Sequence, residues 1–504
     1  MSSILTFGIT GFIFCKNFFI WTEPSMVKVF KDTTPKKSQK LILKSAKNEY
    51  ESGQIVIRAE KKSLKILKVN ASDLKGDKGK KIKKENIQIR LVNYVFLKNQ
   101  NKYFPDPLPP FQSVEIKENE NQPIFITVYV PKDAEAGKYS GYIEIDIEKY
   151  GSFKIPLFLE VWDFVLPDKP SSENTFGLSY SFIPKFEGIQ QGSSSANDLF
   201  DKYYWFLVEH RISPYYIPVD ILDPESDKYI KDERVTSFII PYNENIEEMR
   251  KRVEYVKEKG VLNKAYFYPL DEPVTQKQYE ELKRRVEKIK SIDPNLRIVS
   301  PFFRDPDFIK KSAYETLDGL VNIWCAVTNY FDPEKQLKKK ERGDGSWWYV
   351  CCGPIFPYAN FHIDMEGISH RILMWQQKKY KVDGLLYWST NYWNETVDPW
   401  EDMATVKSIN PDIYGDGSLI YPGKKIGFNG PVSSLRLEII RDGFEDYEYL
   451  TLLEKIAGRE LVENIIENVV KSMIIYTRDP LKLEETREIL AKEILKRISS
   501  FKRN

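Results

Sequence analysis

The sequence is poor in the residues that build metal sites and disulfide frameworks. Its 504 residues include only three histidines and four cysteines. No Cys-x-x-Cys pair and no Cys/His spacing typical of a zinc site occurs. Four cysteines are also too few to form a disulfide scaffold in a chain of this length. The sequence therefore predicts a protein without a cofactor.

The sequence also lacks a large excess of positive or negative charge. Lysine and arginine total 75 and aspartate and glutamate total 73, which gives a formal net charge of +2. Because a surface that binds nucleic acid carries a clustered basic excess, we expect no nucleic-acid partner. The G-x-G-x-x-G, Walker A and G-x-S-x-G motifs are absent too, which argues against a dinucleotide-binding, P-loop or α/β-hydrolase protein.

Long apolar runs are likewise absent. No stretch of 18 uninterrupted apolar residues occurs, so we expect no membrane-spanning helix and no stable insertion into a membrane. The run from Ile4 to Cys15 has the length of a signal-peptide core, but no Lys or Arg precedes it and no small-residue cleavage site follows. This run favours secretion, and a cytoplasmic location is the alternative. The sequence carries no signal for the oligomeric state.

The first part of the chain has the pattern of short strands. Residues 21–165 alternate apolar and polar residues between turn-forming segments such as PKDAEAGK. This pattern predicts an N-terminal antiparallel β-sandwich domain over residues 21–165. The composition of Leu166–Asn174 (LPDKPSSEN) is that of a linker. The clearest strands are predicted at Gln54–Ala59, Pro123–Val130, Gly141–Ile147 and Phe153–Val161.

After the linker, strand-like and helical segments alternate. Eight such strands within residues 175–455 predict a (β/α)8 TIM barrel as the catalytic domain, and a doubly wound sheet is the alternative. Residues 459–504 predict C-terminal helices with a break at Pro480. The strands are predicted at Phe176–Ser181, Tyr215–Val219, Thr236–Ile240, Ala265–Leu270, Arg297–Phe302, Leu320–Ala326, Ser346–Cys352 and Gly384–Ser389. The clearest helices are predicted at Ala196–Ile212, Ile246–Lys259, Gln276–Ile289, Arg371–Tyr380 and Leu435–Leu453.

The most informative segment is Ala265–Ile289 (AYFYPLDEPVTQKQYEELKRRVEKI). Thr275 is a good N-cap for the helix that follows, so Asp271 and Glu272 lie on a loop between the fourth predicted strand and a helix. In a barrel, such loops form the face that carries the active site. The two carboxylates either favour a helix N-terminus or act in chemistry, because their repulsion raises one pKa and keeps a proton available.

Glycosidases ordinarily place two carboxyl groups on opposite sides of the sugar. Asp271 and Glu272 approach from one side, and the seventh predicted strand ends without a carboxylate at Val350–Pro354. This favours a substrate-assisted scheme, in which the 2-acetamido oxygen of the sugar attacks the anomeric carbon. The alternative is a second carboxylate from another loop. The candidates for it are Asp305, Asp332, Glu395 and Asp398.

Aromatic residues are concentrated in the same half of the chain, with seven of the ten tryptophans between Trp324 and Trp400. A flat apolar ring suits the face of a sugar, and core packing is the alternative. Their positions assign Trp324, Trp347, Trp348 and Trp375 to structure. Substrate contacts are predicted at Tyr268, Asn329, Tyr330, Trp388, Asn391, Tyr392 and Trp393.

Several motifs resemble those of glycoside hydrolase family 123. They are Asp271-Glu272-Pro273, Trp347–Pro354 (WWYVCCGP), His370–Trp375 (HRILMW), Leu385–Trp388 (LLYW), Ser434–Leu450 (SLRLEIIRDGFEDYEYL) and Asn48–Ala59 (NEYESGQIVIRA). The resemblance implies an N-terminal β-sandwich, a (β/α)8 catalytic barrel and an exo-acting, retaining β-N-acetylgalactosaminidase that uses substrate assistance. It makes Glu272 the general acid/base and Asp271 the residue that orients the 2-acetamido group.

We therefore expect a glycoside hydrolase that removes a terminal β-linked N-acetylhexosamine, with N-acetylgalactosamine favoured, from an oligosaccharide or glycoconjugate. Two alternatives stay open. One is a glycosidase that pairs Glu272 with a second carboxylate, and the other is a non-catalytic carbohydrate-binding protein that keeps the aromatic residues.

Overall fold

The computed structural model describes residues 14–15 and 17–501. Residues 4–13 of the apolar run that favours secretion lie outside the described residues. The chain divides into two compact units. The first comprises the residues up to Val95 together with Lys102–Leu166, and the second comprises Phe96–Asn101 and the chain from Pro167 onward.

The first unit consists mainly of strands in two sheets. The strands along this part of the chain are β1 (Phe14–Cys15), β2 (Phe18–Pro24), β3 (Leu41–Lys47), β4 (Glu49–Ala59), β5 (Leu64–Ala71), β6 (Leu74–Gly76), β7 (Lys81–Ile82), β8 (Ile87–Leu91), β9 (Tyr94–Leu97), β10 (Lys102–Pro105), β11 (Pro107–Leu108), β12 (Val114–Ile116), β13 (Asn121–Val130), β14 (Gly137–Ile147) and β15 (Gly151–Val165). One sheet has the order β1-β2-β4-β13-β8, and the other has the order β12-β5-β14-β15-β3, with β6 and β7 attached beside β14.

Both sheets contribute side chains to one buried cluster, which includes Ile57 and Ile126 from the first sheet and Ile66 and Ile143 from the second. The four strands predicted most clearly are confirmed within β4, β13, β14 and β15. The expectation of a purely antiparallel arrangement is wrong at one edge, because β3 pairs with β15 in parallel, with Leu41 opposite Leu157. More than 100 residues separate these two strands, which leaves ample chain for the crossover that a parallel pair requires.

The second unit alternates strands with helices and ends in helices. Its elements are β16 (Glu173–Phe176), α1 (Phe182–Glu187), α2 (Ser194–Glu209), α3 (Asp227–Ile230), β17 (Phe238–Ile239), α4 (Ile246–Glu258), β18 (Ala265–Tyr266), α5 (Gln276–Lys290), α6 (Ala313–Thr316), β19 (Ile323–Val327), α7 (Pro333–Glu341), β20 (Gly345–Val350), α8 (Gly367–Lys379), β21 (Gly384–Tyr387), β22 (Tyr421–Pro422), β23 (Pro431–Ser434), α9 (Leu435–Ala457), α10 (Arg459–Ile466) and α11 (Pro480–Phe501).

The predicted helices are confirmed as α2, α4, α5, α8 and α9, with ends shifted by a few residues. Side-chain caps fix several of their starts. Ser193 accepts from Ala196 N before α2, and Asn245 accepts from Glu247 N before α4. Thr275 and Gln278 form a capping box before α5, which satisfies two backbone N–H groups at that helix end.

Four strands of this unit form a continuous parallel sheet in the order β16-β21-β20-β19, and β17 pairs with β18, also in parallel. Isolated parallel bridges extend these ladders. Phe176 bridges Pro214, Phe267 bridges Ile298, and Val299 bridges Ile323. The Ile239 N–H donates to the Tyr215 carbonyl over 2.8 Å. Each of the eight predicted strand segments therefore has a backbone partner in a neighbouring segment.

Regular strands at Tyr215–Val219 and Arg297–Phe302 are not found, and that part of the prediction is wrong. The continuous sheet contains four of the eight predicted strands, while the remaining segments are bridges or two-residue strands. Pro218 and Pro301 lie within the two missing strands, and a proline removes a backbone donor from the ladder. Pro269 shortens the predicted Ala265–Leu270 strand to β18 for the same reason.

Alternate residues of these segments face a common interior. The buried members are Tyr215, Ile239, Tyr266, Val299, Ile323, Cys325, Val327, Trp347, Tyr349 and Leu386, and Tyr268, Tyr330 and Cys351 pack against them. Near the N-terminal end of β16, the Trp347 indole donates to Glu173 over 2.9 Å. Trp324 lies in a separate buried cluster, stacked on Tyr314.

The helix α9 is the centre of the C-terminal part of this unit. It packs against α8, α10 and α11 and is buried along most of its length. Arg371 of α8 donates from Nε and Nη2 to the two carboxylate oxygens of Asp446 on α9, over 2.6 and 2.8 Å, and from Nη1 to Glu484 of α11 over 2.8 Å. These ion pairs join three helices.

Candidate active site

The loop that follows β18 carries Asp271 and Glu272 and is held from several sides. The Leu270 carbonyl accepts from the Ser300 hydroxyl over 2.7 Å, and the Pro269 carbonyl accepts from Arg285 Nη1 over 2.5 Å. Glu272 has a φ of 42°, a left-handed conformation that is unusual for a residue other than glycine and costs about 1–3 kcal/mol. The loop thus keeps Glu272 in a strained conformation, as functional sites often do.

Two tyrosines contact the two carboxylates. The Tyr268 hydroxyl donates to Asp271 Oδ1 over 2.5 Å, and the Tyr349 hydroxyl donates to Glu272 Oε1. Tyr349 lies on β20, while the acidic residues follow β18. The two parallel strands therefore bring an acid and its hydrogen-bond donor together from positions 77 residues apart.

The surroundings of both carboxyl groups favour protonation. Burial raises the pKa of Asp271, and the hydrogen bond from Tyr268 opposes that change. Burial also raises the pKa of Glu272; Tyr349 opposes this change, and the charge of Asp271 adds to it. Asp271 is exposed at the surface, but the protein around it removes part of its hydration. A carboxyl group with a raised pKa keeps its proton to higher pH than usual, which suits general acid catalysis.

The other carboxylates that were candidates for the second catalytic group have local partners. Tyr330 donates to Asp305. Asp332 caps α7 by accepting from Glu334 N and Lys335 N, each over 3.1 Å. Ser408 donates to Glu395 from both its backbone and its hydroxyl. Asp398 pairs with Lys425 over 2.7 Å. Each of these four carboxylates therefore has a hydrogen-bond or ion-pair partner within the protein.

Beyond the end of β21, Trp388 is held by contacts with Asp416, Tyr392 and Gly417. Its indole Nε1 donates to Asp416 Oδ2 over 3.1 Å, and its ring lies 4.7 Å from that of Tyr392. Gly417 has a φ of +65°, and a Cβ there would lie 2.2 Å from the indole. Burial raises the pKa of Asp416. Trp388 and Tyr392 are both partly exposed, so their rings are available to a ligand.

Two of the predicted substrate contacts lie in the interior instead. Asn391 is fully buried, with its amide oxygen accepting from Ser179 N and its amide nitrogen donating to the Ser179 carbonyl. Trp393 is also fully buried, packed against Phe186, with its indole donating to Ser418. These positions contradict a direct sugar contact for either residue, because their surfaces are covered by the protein itself.

The remaining predicted contacts are spread along the loops. Tyr268 lies beside Asp271, as described above. Asn329 is exposed. Tyr330 is partly buried, and its ring stacks on Tyr314 at 6.3 Å while its hydroxyl bonds Asp305. Of the predicted contacts, Tyr268 is hydrogen-bonded to Asp271, and Trp388 and Tyr392 have partly exposed rings.

Sequence reasoning missed Tyr349, Asp416 and Gly417. Tyr349 stands in an apolar run whose pattern predicts a buried strand, and nothing local identifies its acidic partner. Asp416 and Gly417 occur in a Gly-rich connection, GDGSLIYPG, that resembles any turn. The only available signal was the glycine pair flanking an acid, which is typical of a backbone that approaches another group closely.

Within residues 14–15 and 17–501, no group of three or more His, Cys, Asp or Glu residues is arranged to hold a metal ion. No helix in that part of the chain combines the length and apolar character needed to cross a membrane.

Comparison with known proteins assigns the class. The sequence model of the glycoside hydrolase 123 catalytic domain matches residues 198–453, and that of the glycoside hydrolase 123 N-terminal domain matches residues 26–147. Asp271 and Glu272, which follow β18, lie within the part of the chain that matches the catalytic domain of a glycoside hydrolase. The chain belongs to glycoside hydrolase family 123, as its motifs predicted.

The structural comparison concerns the fold. A family 123 glycoside hydrolase from Clostridium perfringens, described with the details of glycolipid glycan hydrolysis, superposes with a TM-score of 0.72 at 16% identity, over 96% of this chain and 99% of that chain. A β-D-glucuronidase from Dictyoglomus thermophilum has a TM-score of 0.32 at 12% identity, over 83% of this chain and 68% of that chain. Comparison with curated proteins finds no significant match.

Proposed function

We propose that this protein removes a terminal β-linked N-acetylhexosamine, with N-acetylgalactosamine favoured, by a retaining, substrate-assisted mechanism. The observation that carries the proposal is the pairing of Asp271 with a Glu272 whose pKa is raised, while the other candidate carboxylates have structural partners. The glycolipid glycans associated with the Clostridium perfringens relative make a glycolipid or another glycoconjugate the substrate class to examine first.

In the first step, protonated Glu272 donates its proton to the leaving glycosidic oxygen. The carbonyl oxygen of the 2-acetamido group attacks the anomeric carbon as the glycosidic bond breaks, and a cyclic oxazolinium ion forms. Asp271 accepts a hydrogen bond from the acetamido N–H and stabilises the positive charge. Tyr268 orients Asp271 through the hydrogen bond to Oδ1.

In the second step, ionised Glu272 takes a proton from water, and the water oxygen attacks the anomeric carbon. The acetamido group is released intact, and the sugar keeps its original anomeric configuration. Tyr349 supports this half of the cycle, because its hydrogen bond favours the ionised form of Glu272. The raised pKa of Glu272 therefore supports proton donation in the first step, and the hydrogen bond from Tyr349 supports proton uptake from water in the second step.

The proposed scaffold for this chemistry is a closed (β/α)8 barrel. Three observations support this proposal: the four-stranded parallel sheet, in which β16 pairs with β21, the parallel β17–β18 pair, and the isolated parallel bridges at Pro214 and Ile298. The two sheets of the first unit, which share one buried cluster, support a β-sandwich. We place the barrel within residues 175–455, the sandwich within 21–165 and the C-terminal helices within 459–504.

A hydrolysis screen tests the proposal. Chromogenic β-N-acetylgalactosaminide, β-N-acetylglucosaminide and the matching sugars without an acetamido group are compared. We expect turnover only where the acetamido group is present, and inhibition by a thiazoline analogue of the cyclic ion. Equal turnover of sugars without the acetamido group would establish the second-carboxylate alternative instead.

A single variant separates catalysis from binding alone. Glu272→Gln keeps the size of the side chain and removes the acid, so we expect activity to fall by ~10²-fold or more. Circular dichroism and a thermal melt check that the variant is folded. An active Glu272→Gln protein would contradict the acid/base role, and a protein that binds these sugars without turnover would be a carbohydrate-binding protein.

A further inference from the structure

Two adjacent thiols follow β20, the strand that carries the hydrogen-bond donor to Glu272. Cys351 and Cys352 are free and partly exposed, and their Sγ atoms lie 3.9 Å apart. Cys351 packs against the interior cluster that contains Tyr349, the residue two positions earlier that donates to Glu272. Because alternate residues of a strand share a face, Cys351 lies directly beyond Tyr349 toward the carboxyl end of the strand.

The backbone at this point is held in place. The Cys351 carbonyl accepts from Asn360 Nδ2 and from His362 Nε2, each over 2.8 Å, and the Cys351 N–H donates to the Gly353 carbonyl over 2.9 Å. Neighbouring Cα atoms are about 3.8 Å apart, whereas disulfide-linked residues usually have Cα atoms about 4.4–6.8 Å apart. A direct disulfide would therefore have to distort a hydrogen-bonded turn, while one atom between the sulfurs can join them without doing so.

The pair also has the reactivity that such a bridge requires. The hydrogen bond between the two thiols lowers the pKa of Cys352, although burial and the charges of Asp416 and Glu272 oppose the change. A thiolate is the nucleophilic form of cysteine. Cys352 is thus the first sulfur to react, and Cys351 is within reach for the second bond.

We propose that Cys351 and Cys352 form one dithiol modification site for trivalent arsenicals, and that its occupation obstructs the active site beside Glu272. An arsonous acid R–As(OH)2 reacts with the two thiols, so that two As–S bonds form, two As–O bonds break and both thiol protons leave in two molecules of water. No electron is transferred, and no other reactant is needed. The obstruction of catalysis rests on the proposed function, whereas the modification itself does not.

Phenylarsine oxide, added at one equivalent to the folded full-length protein, tests the site. We expect one adduct by intact mass that withstands a monothiol and is removed by a dithiol. Cys351→Ser and Cys352→Ser should each lose this dithiol-specific adduct, and Cys15→Ser and Cys325→Ser should retain it. A wild-type protein without an adduct, or an adduct that survives in both Cys351→Ser and Cys352→Ser, would overturn the assignment.

Two further measurements complete the test. On whichever sugar the enzyme cleaves, the adduct should lower the rate by at least ~10-fold, and a dithiol should restore it; an unchanged rate with the adduct in place would overturn the obstruction. If no sugar is cleaved, the proposed function fails while the mass measurement still decides the site. Treatment with diamide should leave the pair unlinked, and rapid loss of two hydrogens at Cys351–Cys352 would contradict the rigid turn.

Discussion

At the scale of single residues, Tyr349 is the hydrogen-bond donor to Glu272, the proposed general acid. Removing its hydroxyl in Tyr349→Phe eliminates a hydrogen bond to the ionised form of Glu272, so the pKa of Glu272 should rise further. We expect the basic limb of the pH profile of kcat/KM to move to higher pH. The rate should fall about tenfold or more, since a hydrogen bond to a charged group contributes ~1.5–3 kcal/mol. Initial rates over a pH series measure both effects.

Tyr215→Phe provides the matched control. Tyr215 belongs to the same interior cluster, and its buried hydroxyl has no hydrogen-bond partner among residues 14–15 and 17–501. The change therefore removes the same atom from the same cluster without breaking a hydrogen bond to either carboxylate. We expect no shift of the pH profile, and an equal shift in both variants would contradict a specific role for Tyr349.

Glu272 should also cost the protein stability. Its folded-state pKa lies above its ordinary value of 4.5, so between the two pKa values the folded protein binds more protons than the unfolded chain. The free energy of unfolding then falls as pH rises through that interval. Because glutamine does not titrate, the stability of Glu272→Gln relative to wild type should increase from acidic to neutral pH. Denaturant unfolding on both sides of the interval measures it.

The surface residue Glu463, which pairs with Arg459 on α10, gives the comparison for this experiment. Glu463→Gln should change the free energy of unfolding by less than ~0.5 kcal/mol at either pH. If Glu272→Gln instead gains more unfolding free energy over wild type in acid than at neutral pH, the direction given for the pKa change of Glu272 is wrong.

How far the sequence predicts the site depends on how local the signal is. Asp271 and Glu272 could be predicted as site residues because a strand pattern, an acidic pair and a helix cap follow one another within a few residues. Tyr349 was missed because its partner lies in another strand, and only tertiary structure joins them. Asn391 and Trp393 were assigned to the site by position alone, and burial excludes them, since a sequence pattern does not show which way a loop side chain turns.

At the scale of elements, the connection after β21 controls the position of Trp388. In Gly417→Ala the new Cβ meets the indole at 2.2 Å, so the ring must move away from its hydrogen bond with Asp416. Loss of an aromatic contact worth ~0.5–1.5 kcal/mol should raise KM roughly 2- to 10-fold with a smaller effect on kcat. Steady-state kinetics on the best chromogenic substrate provides the measurement.

Gly427→Ala controls for backbone strain in that experiment. Gly427 has a φ of +70°, and a Cβ there would meet nothing within 4 Å. Both substitutions place a side chain in the left-handed region, at a cost of ~1–2 kcal/mol, but only Gly417→Ala collides with the indole. The idea that Trp388 contacts substrate fails if KM rises equally in both variants or in neither.

Prolines explain why strands were harder to predict than helices. The periodic helices α4 and α5 were predicted to within one residue at each end, because their apolar spacing and caps are local properties. Strands containing Pro218, Pro269 and Pro301 satisfied the apolar pattern but lost ladder hydrogen bonds. The pairing of β3 with β15 was also beyond the sequence, since a strand pattern does not specify which distant strand becomes its neighbour.

At the scale of the whole molecule, the C-terminal helices should be part of the cooperative unit. On α11, Leu483, Leu490 and Ile494 are fully buried, and Arg487 pairs with Asp446 of α9 over 3.1 Å. Leu490→Ala should therefore cost ~2–5 kcal/mol. Loss of catalytic activity and loss of helical circular dichroism should follow the same thermal transition.

Leu481→Ala is the control on the same helix. Leu481 is 59% exposed, so its truncation should change stability by no more than ~0.5 kcal/mol. In Leu490→Ala, α11 could instead unfold alone while activity is lost only at the wild-type melting temperature. That result would show that the C-terminal helices unfold independently of the catalytic unit.

The distribution of tryptophan exposure allows the intrinsic fluorescence of the protein to report ligand binding. Only Trp205 and Trp388 of the ten tryptophans are partly exposed, and the other eight are buried. A neutral quencher such as acrylamide should reach these two indoles alone. In a Trp205→Phe background the quenchable emission would come from Trp388, so a sugar that covers this ring would protect the fluorescence and report occupancy without any turnover.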